Sequence, residues 1–189
     1  MAEGYSDIPH DTYATWKLNT LGHEYDLDGY FGCQCWDYAS LFWRNVGFPV
    51  GYPQTGLNHY ASECWTQNRL INAGGEFDLI YNKTDIKTGD VIVLDGNSSN
   101  PPGHIAFADE DYSNPNSIMA IGQNQGGTPL PSGGTAVTRN SLGLDLFLGA
   151  FRYKAWHTTP PTPPIVRKGR QFPWVLYAEK LRERRTGMV

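Results

Sequence analysis

Apolar positions along the chain fall into two textures. Before the "AGG" at residues 73–75 they recur at helical spacing, and after it they come in short runs separated by turn residues. The strongest prediction is a helix over 34–46. There Cys35, Tyr38, Ala39, Phe42, Trp43 and Val46 fall at i, i+3, i+4, i+7, i+8 and i+11, a single apolar face. Weaker patterns predict helices over 10–20, with Tyr13, Trp16 and Thr20 on one side, and over 58–70, around Tyr60, Ala61, Cys64 and Trp65. The later runs "DVIVLDG" (90–96), "HIAFADE" (104–110), "SIMAIGQN" (117–124) and "LFLGAFRY" (146–153) predict strands. The turn-rich "GNSSNPPG" and "DYSNPN" divide them. Helices first and an antiparallel meander afterwards give an α+β domain, with N-terminal helices packed on the sheet.

Composition refines this outline. A chain of 189 residues is one domain, or one domain with an appendage, large enough to bury a core without disulfide staples. Its 21 Gly and 13 Pro favour a loop-rich fold over a helical bundle. The net charge of −4 hides an asymmetry: residues 1–151 carry 17 acidic and 6 basic side chains, residues 152–189 carry 2 and 9. An acidic body with a basic tail implies two different tasks. The division expected is a domain over 1–156, an extended Pro-rich linker over 157–166 ("HTTPPTPPIV"), and a basic tail over 167–189. Within the tail, Trp174, Tyr177, Ala178 and Leu181 would line one side of a short docking helix. "MAEGYSDIPHDTY" has no basic-then-apolar signal pattern, and no apolar run is long enough to span a bilayer. No nucleic-acid partner is expected.

Two of the three cysteines, Cys33 and Cys35, sit just after "DLDGY" and at the head of the best helix. Zinc would need a second ligand cluster, which the chain lacks, and C-x-C misses the two-residue spacer of a redox motif. A nucleophile remains. Thiolate is favoured at a helix N-terminus, and Cys35 lies in the first turn, whereas Cys64 reads as a core residue. A thiol nucleophile needs a base. His10, His23 and His59 lack polar company and His157 lies in the linker, but His104 starts an apolar strand beside the "PPG" loop. Pairing strand 104–110 with 117–122 would set His104 opposite the emerging Gln123 and Asn124, so Asn124 would accept from the imidazole and orient it.

The loop before the helix offers an all-oxygen cation site. Asp26, Asp28 and Asp37 would supply carboxylates, and Tyr30 and Gly32 main-chain carbonyls, a set suited to Ca²⁺. The spacing is not that of an EF-hand loop, and a solvated acidic turn remains the alternative.

Taken in order, "DLDGYFGCQCWDYA", "GDVIVLDG", "GHIAFA", "GQNQGG" and "GAFRY" resemble the CHAP domain, the papain-like amidase/peptidase module of phage endolysins and bacterial wall hydrolases. The resemblance runs from about residue 20 to 155. It implies a papain-like α+β fold and cleavage of a peptidoglycan amide bond, with Cys35 as nucleophile, His104 as base and Asn124 as its orienter. The oxyanion would be held by the Cys35 N–H, with Gln34 as a second donor. The Asp26, Asp28, Tyr30, Gly32 and Asp37 pattern resembles the calcium loop of some phage members, where Ca²⁺ would be structural.

One departure stands out: several relatives carry a catalytic Glu where this chain has Gly122. Of the expected partners, the first is peptidoglycan. The basic tail would engage anionic wall polymers or other virion (tail) proteins, since it is too short for an SH3-like wall-binding module. The protein would act on the wall from the virion or, at lysis, from the host cytoplasm. Two alternatives are kept: a CHAP-like structural protein that binds wall without cutting it, and an NlpC/P60-type peptidase.

Overall fold

The computed structural model describes residues 7–158. The expected tail helix and nearly all of the linker lie outside them. Helix α1 (Tyr13–Thr20) begins where the Thr12 side chain accepts from the Thr15 N–H at 3.1 Å. Helix α2 (Cys35–Asn45) follows, then the short α3 (Glu63–Thr66) and α4 (Arg69–Ala73). Strands β1 (Phe77–Ile80), β2 (Val91–Leu94), β3 (His104–Ala108), β4 (Ser117–Gly122), β5 (Thr138–Gly143) and β6 (Phe147–Tyr153) come next, and α5 (Lys154–His157) closes the described chain. The six strands form one antiparallel sheet in the order β1-β6-β2-β3-β4-β5. The fold is α+β, as the two textures predict.

The helix-facing side of the sheet presents Phe77, Val91, Val93, Ile105, Phe107, Ile121 and Phe151 to the apolar face of α2. Trp16 of α1 stacks on Tyr38, their rings 5.6 Å apart. The opposite side is also covered: Ile92, Leu94, Ala108, Ile118 and Ala150 pack with Ile86 and Leu144. Burial on both faces explains why β2 and β3 read as continuous apolar runs rather than alternating ones.

The helix expected over 58–70 is instead two short helices. The buried Glu63 carboxylate accepts from Gly56 N–H (3.0 Å), Tyr60 N–H (3.1 Å) and Asn58 Nδ2 (2.8 Å), so residues 56–62 wrap around it instead of coiling. His59 is left-handed (φ 59°), and at Asn68 the side chain donates to Thr55 O (2.8 Å) where the helix breaks again. Strands β1 and β5 were not predicted. Both are sheet edges, and "TRNSLG" lacks an apolar alternation because each of its residues keeps some exposure.

Candidate active site

Helix α2 starts at Cys35 because Gln34 is extended and Asp37, three residues on, closes the turn: Gln34 N–H donates to Asp37 Oδ2 at 2.9 Å. The other Asp37 oxygen accepts from Leu27 N–H at 2.9 Å, tying the preceding loop to the helix. Cys35 therefore occupies the first helical position, where a backbone N–H has no partner within the helix.

The loop itself is held from far along the chain. Gln123, fully buried, accepts from Tyr25 N–H (3.1 Å) and donates to Tyr25 O (2.6 Å). Cys33 forms a parallel bridge with Gly134, and its N–H donates to Gly133 O at 3.1 Å. Along this seam the two backbones touch: a Cβ on Gly32 would stand 2.3 Å from Ser132 O, and one on Gly134 only 1.9 Å from Cys33 O.

His104 opens β3 opposite Leu94 of β2, and its side chain is hydrogen-bonded to Cys35. Cys35 is 8% exposed and His104 9%, so the pair sits in a low-dielectric setting yet at an edge. Burial alone would raise the Cys35 pKa. Attraction to the His104 imidazolium, the hydrogen bond to it and a backbone hydrogen bond from Ile105 outweigh burial and the repulsion of Asp37, so the pKa falls below the ordinary thiol value. Burial works against the His104 charge as well, but the Cys35 thiolate and hydrogen bonds to Cys35 and Gln125 hold its pKa above the ordinary value. Cys33 and Cys64 go the other way: burial raises both thiols. All three cysteines are free, and only Cys35 is tuned toward thiolate.

Two expected details differ. The β3–β4 register, Phe107 opposite Ile121, would bring Asn124 opposite His104 if the strands stayed paired. However, β4 ends at Gly122 and Asn124 is left-handed (φ 54°), which turns the next side chain back under the strand. His104 Nε2 consequently meets Gln125 Oε1 at 3.0 Å, while Asn124 Nδ2 donates to Gln34 Oε1 at 2.7 Å. Asn124 thus holds Gln34, and Gln125 takes the expected place beside His104. Gln34, expected as an oxyanion donor, has its main-chain N–H committed to Asp37 and one amide proton committed to Phe31 O at 2.6 Å. That leaves the Cys35 N–H and the second amide proton of Gln34 for an oxyanion. Gln123 was expected only to emerge beside Asn124, and Gln125 and the Gly133–Gly134 seam were not singled out in the sequence. The "GQNQGG" run signalled their neighbourhood, but only the turn at Asn124 decides which amide faces His104.

Asp26, Asp28 and Asp37 come together, with one carboxylate oxygen of each within 4.8 Å of the others. Asp26 Oδ1 accepts from Gly29 N–H (2.9 Å) and Asp28 Oδ1 from Tyr30 N–H (2.7 Å), so the loop's own amides orient the cluster. Asp37 carries a pKa raised to about 6, first by burial and then by Asp28 and Asp26, against the hydrogen bonds from Gln34 and Leu27. Among the described residues, Cys33 and Cys35 join no such group.

Residues 24–124 match the CHAP domain family. A D-alanyl-L-alanine endopeptidase of Streptococcus phage B30 is 34% identical over 122 residues, which is 61% of this chain and 25% of that protein. The chain therefore spans about a quarter of that relative's length. Among solved structures, the endolysin LysIME-EF1 superposes with a TM-score of 0.56 at 22% identity, covering 75% of this chain and 62% of that one. At that identity the likeness is one of fold, and it agrees with a papain-like arrangement of helices on an antiparallel sheet. The matched stretch covers more than half of the sequence and contains both Cys35 and His104, and on that basis the chain belongs to the CHAP domain family.

Proposed function

We propose that the protein is a phage-derived peptidoglycan hydrolase that cleaves an amide bond of the bacterial wall by thiol catalysis. The observation that carries this reading is the Cys35–His104 pair: a thiol tuned toward thiolate at a helix start, hydrogen-bonded to a buried imidazole on a rigid strand. The thiolate attacks the scissile carbonyl, and the Cys35 N–H stabilises the oxyanion, with Gln34 Nε2 as second donor. His104 protonates the leaving amine as the C–N bond breaks. Water, deprotonated by His104, then hydrolyses the thioester and frees Cys35. The phage relative is a D-alanyl-L-alanine endopeptidase, which favours a peptide bond over the N-acetylmuramoyl–L-alanine amide. The protein would be made in the host cytoplasm and reach the wall at lysis or from a virion, the basic tail engaging anionic wall polymer or a tail protein. The experiment is mass spectrometry of fragments released from purified Gram-positive peptidoglycan: new termini name the bond, and intact wall with retained binding would favour a non-cleaving wall protein instead.

The pH dependence follows from His104. Its imidazolium must be present to protonate the leaving amine, and it is lost as pH rises through the pKa. Since that pKa is raised in the free enzyme, the alkaline limb of kcat/KM is expected above the ordinary imidazole value of about 6.5. Release rates measured across pH test this, and a limb at or below that value would contradict the pairing.

The acidic cluster supports a structural Ca²⁺ held by Asp26, Asp28 and Asp37, with main-chain oxygens of Tyr30 and Gly32 completing the set. The chemistry fits: three oriented carboxylates lie within reach of one hard cation. When bound, Ca²⁺ would neutralise their mutual repulsion and fix the loop leading to Cys35. At a concentration about 100 times its Kd the ion would add about 2.7 kcal/mol of stability, or about 5–10 °C in Tm for a domain of this size. Thermal unfolding with calcium and with chelator should show that shift in the wild type and not in an Asp26→Ala/Asp28→Ala variant.

A further inference from the structure

We propose that Gln125 is the positioning residue for His104, and that position 122 is glycine because the Gln125 carboxamide fills the space a side chain there would need. The direction of the amide is fixed by its surroundings. Gln125 Nε2 faces two main-chain carbonyls, Ala120 O at 3.0 Å and Thr138 O at 3.1 Å, which use both of its protons. Oε1 is thereby turned to His104 Nε2 at 3.0 Å. A carboxamide oxygen only accepts, so Nε2 must carry a proton whether the ring is neutral or charged. The lone pair of the neutral ring is then left on Nδ1 for the Cys35 proton. The residue is itself anchored: its main-chain carbonyl accepts from Asn140 Nδ2 at 3.1 Å, and Asn140 also donates to Thr138 Oγ1 at 2.9 Å.

Gly122 supplies the room. A Cβ there would lie 2.5 Å from Gln125 Oε1, 3.0 Å from its Cδ and 3.1 Å from Ala106 Cβ. Even alanine would push the carboxamide off the imidazole. A side chain at position 122 and a Gln125 carboxamide on His104 cannot occupy the same volume.

The inference rests on His104 serving as the base, so the test includes a readout that needs no wall substrate. In histidine-labelled protein, long-range ¹H–¹⁵N spectra should show a slowly exchanging proton on His104 Nε2. Gln125→Leu should lose that resonance and lower kcat about 100-fold with KM unchanged, the low end of what a positioned base contributes. Gly122→Ala should do the same with Gln125 present. Gln125→Glu keeps the acceptor but drops both donors, so it should unfold at lower temperature yet retain the resonance and cleave within about tenfold of wild type, an expectation drawn from the same range. A wild-type spectrum without a protected Nε2 proton would overturn the proposal whatever the activity. So would a Gln125→Leu variant with wild-type resonance and kcat, or a Gln125→Glu variant that behaves like Gln125→Leu. Should Gln125→Leu fail to fold, the wild-type and Gln125→Glu spectra still decide the matter.

Discussion

Replacing Cys35 with alanine is expected to lower wall-fragment release by about 10⁴-fold or more, because removing the nucleophile deletes the covalent route rather than weakening it. The fold should tolerate the change. One buried sulfur is lost from a helix whose apolar face is otherwise intact, a cost of about 1 kcal/mol. The contrast with Cys64→Ala is instructive. Cys64 is fully buried and burial raises its thiol, so its truncation should lower Tm while leaving cleavage in place. Release assays and melting curves on the two variants separate reactivity from packing. Retained cleavage in Cys35→Ala would end the thiol mechanism.

Gly134→Ala should have the largest effect on stability. The residue has φ +70°, where a side chain costs about 1 kcal/mol, and the added carbon would stand 1.9 Å from Cys33 O and 2.6 Å from Cys33 C. Neither obstacle is a flexible side-chain tip. Both are backbone, so the seam must open and the Cys33–Gly134 bridge must go. A loss of about 3–4 kcal/mol is expected, about 10 °C in Tm. Because Cys33 lies two residues before the nucleophile, kcat should fall with it. Gly22→Ala is the control: φ is +83° but nothing lies within 4 Å, so only the backbone strain of about 1 kcal/mol applies. If Gly134→Ala unfolds no earlier than Gly22→Ala, the seam does not support the loop.

What the sequence discloses and what it conceals follows from the range of the interactions. The apolar face of α2 and the runs that became β2, β3, β4 and β6 are local patterns, so their existence and type were legible. Cys35 and His104, singled out by their places at a helix start and a strand start, meet in the fold. The split of 58–70 was hidden because Glu63 captures main-chain N–H groups from before the helix, a competition that periodicity does not record. Strand β5 was hidden because an edge strand needs no apolar alternation. The neighbour of His104 differs from the expected one by a single residue: counting along an antiparallel register reaches Asn124, while the left-handed turn there delivers Gln125. Seams such as Cys33–Gly134 are contacts between backbones, and no residue pattern announces them.

The parts that shape the surroundings of Cys35 are also separated in time. Cys35 and its helix are synthesised before the sheet strands that surround them, and a helix forms quickly from local contacts. The clasps on its loop, from Gln123 to Tyr25, from Asn124 to Gln34 and from Gly133 to Cys33, arrive roughly ninety to a hundred residues later. Closing so long a loop is slow and comes after the local structure is in place. Until β3 docks, Cys35 lacks the His104 and Ile105 contacts that lower its pKa, and the clasps that fix its loop follow later still. Within this domain the Cys35 thiol is therefore made well before the groups that lower its pKa.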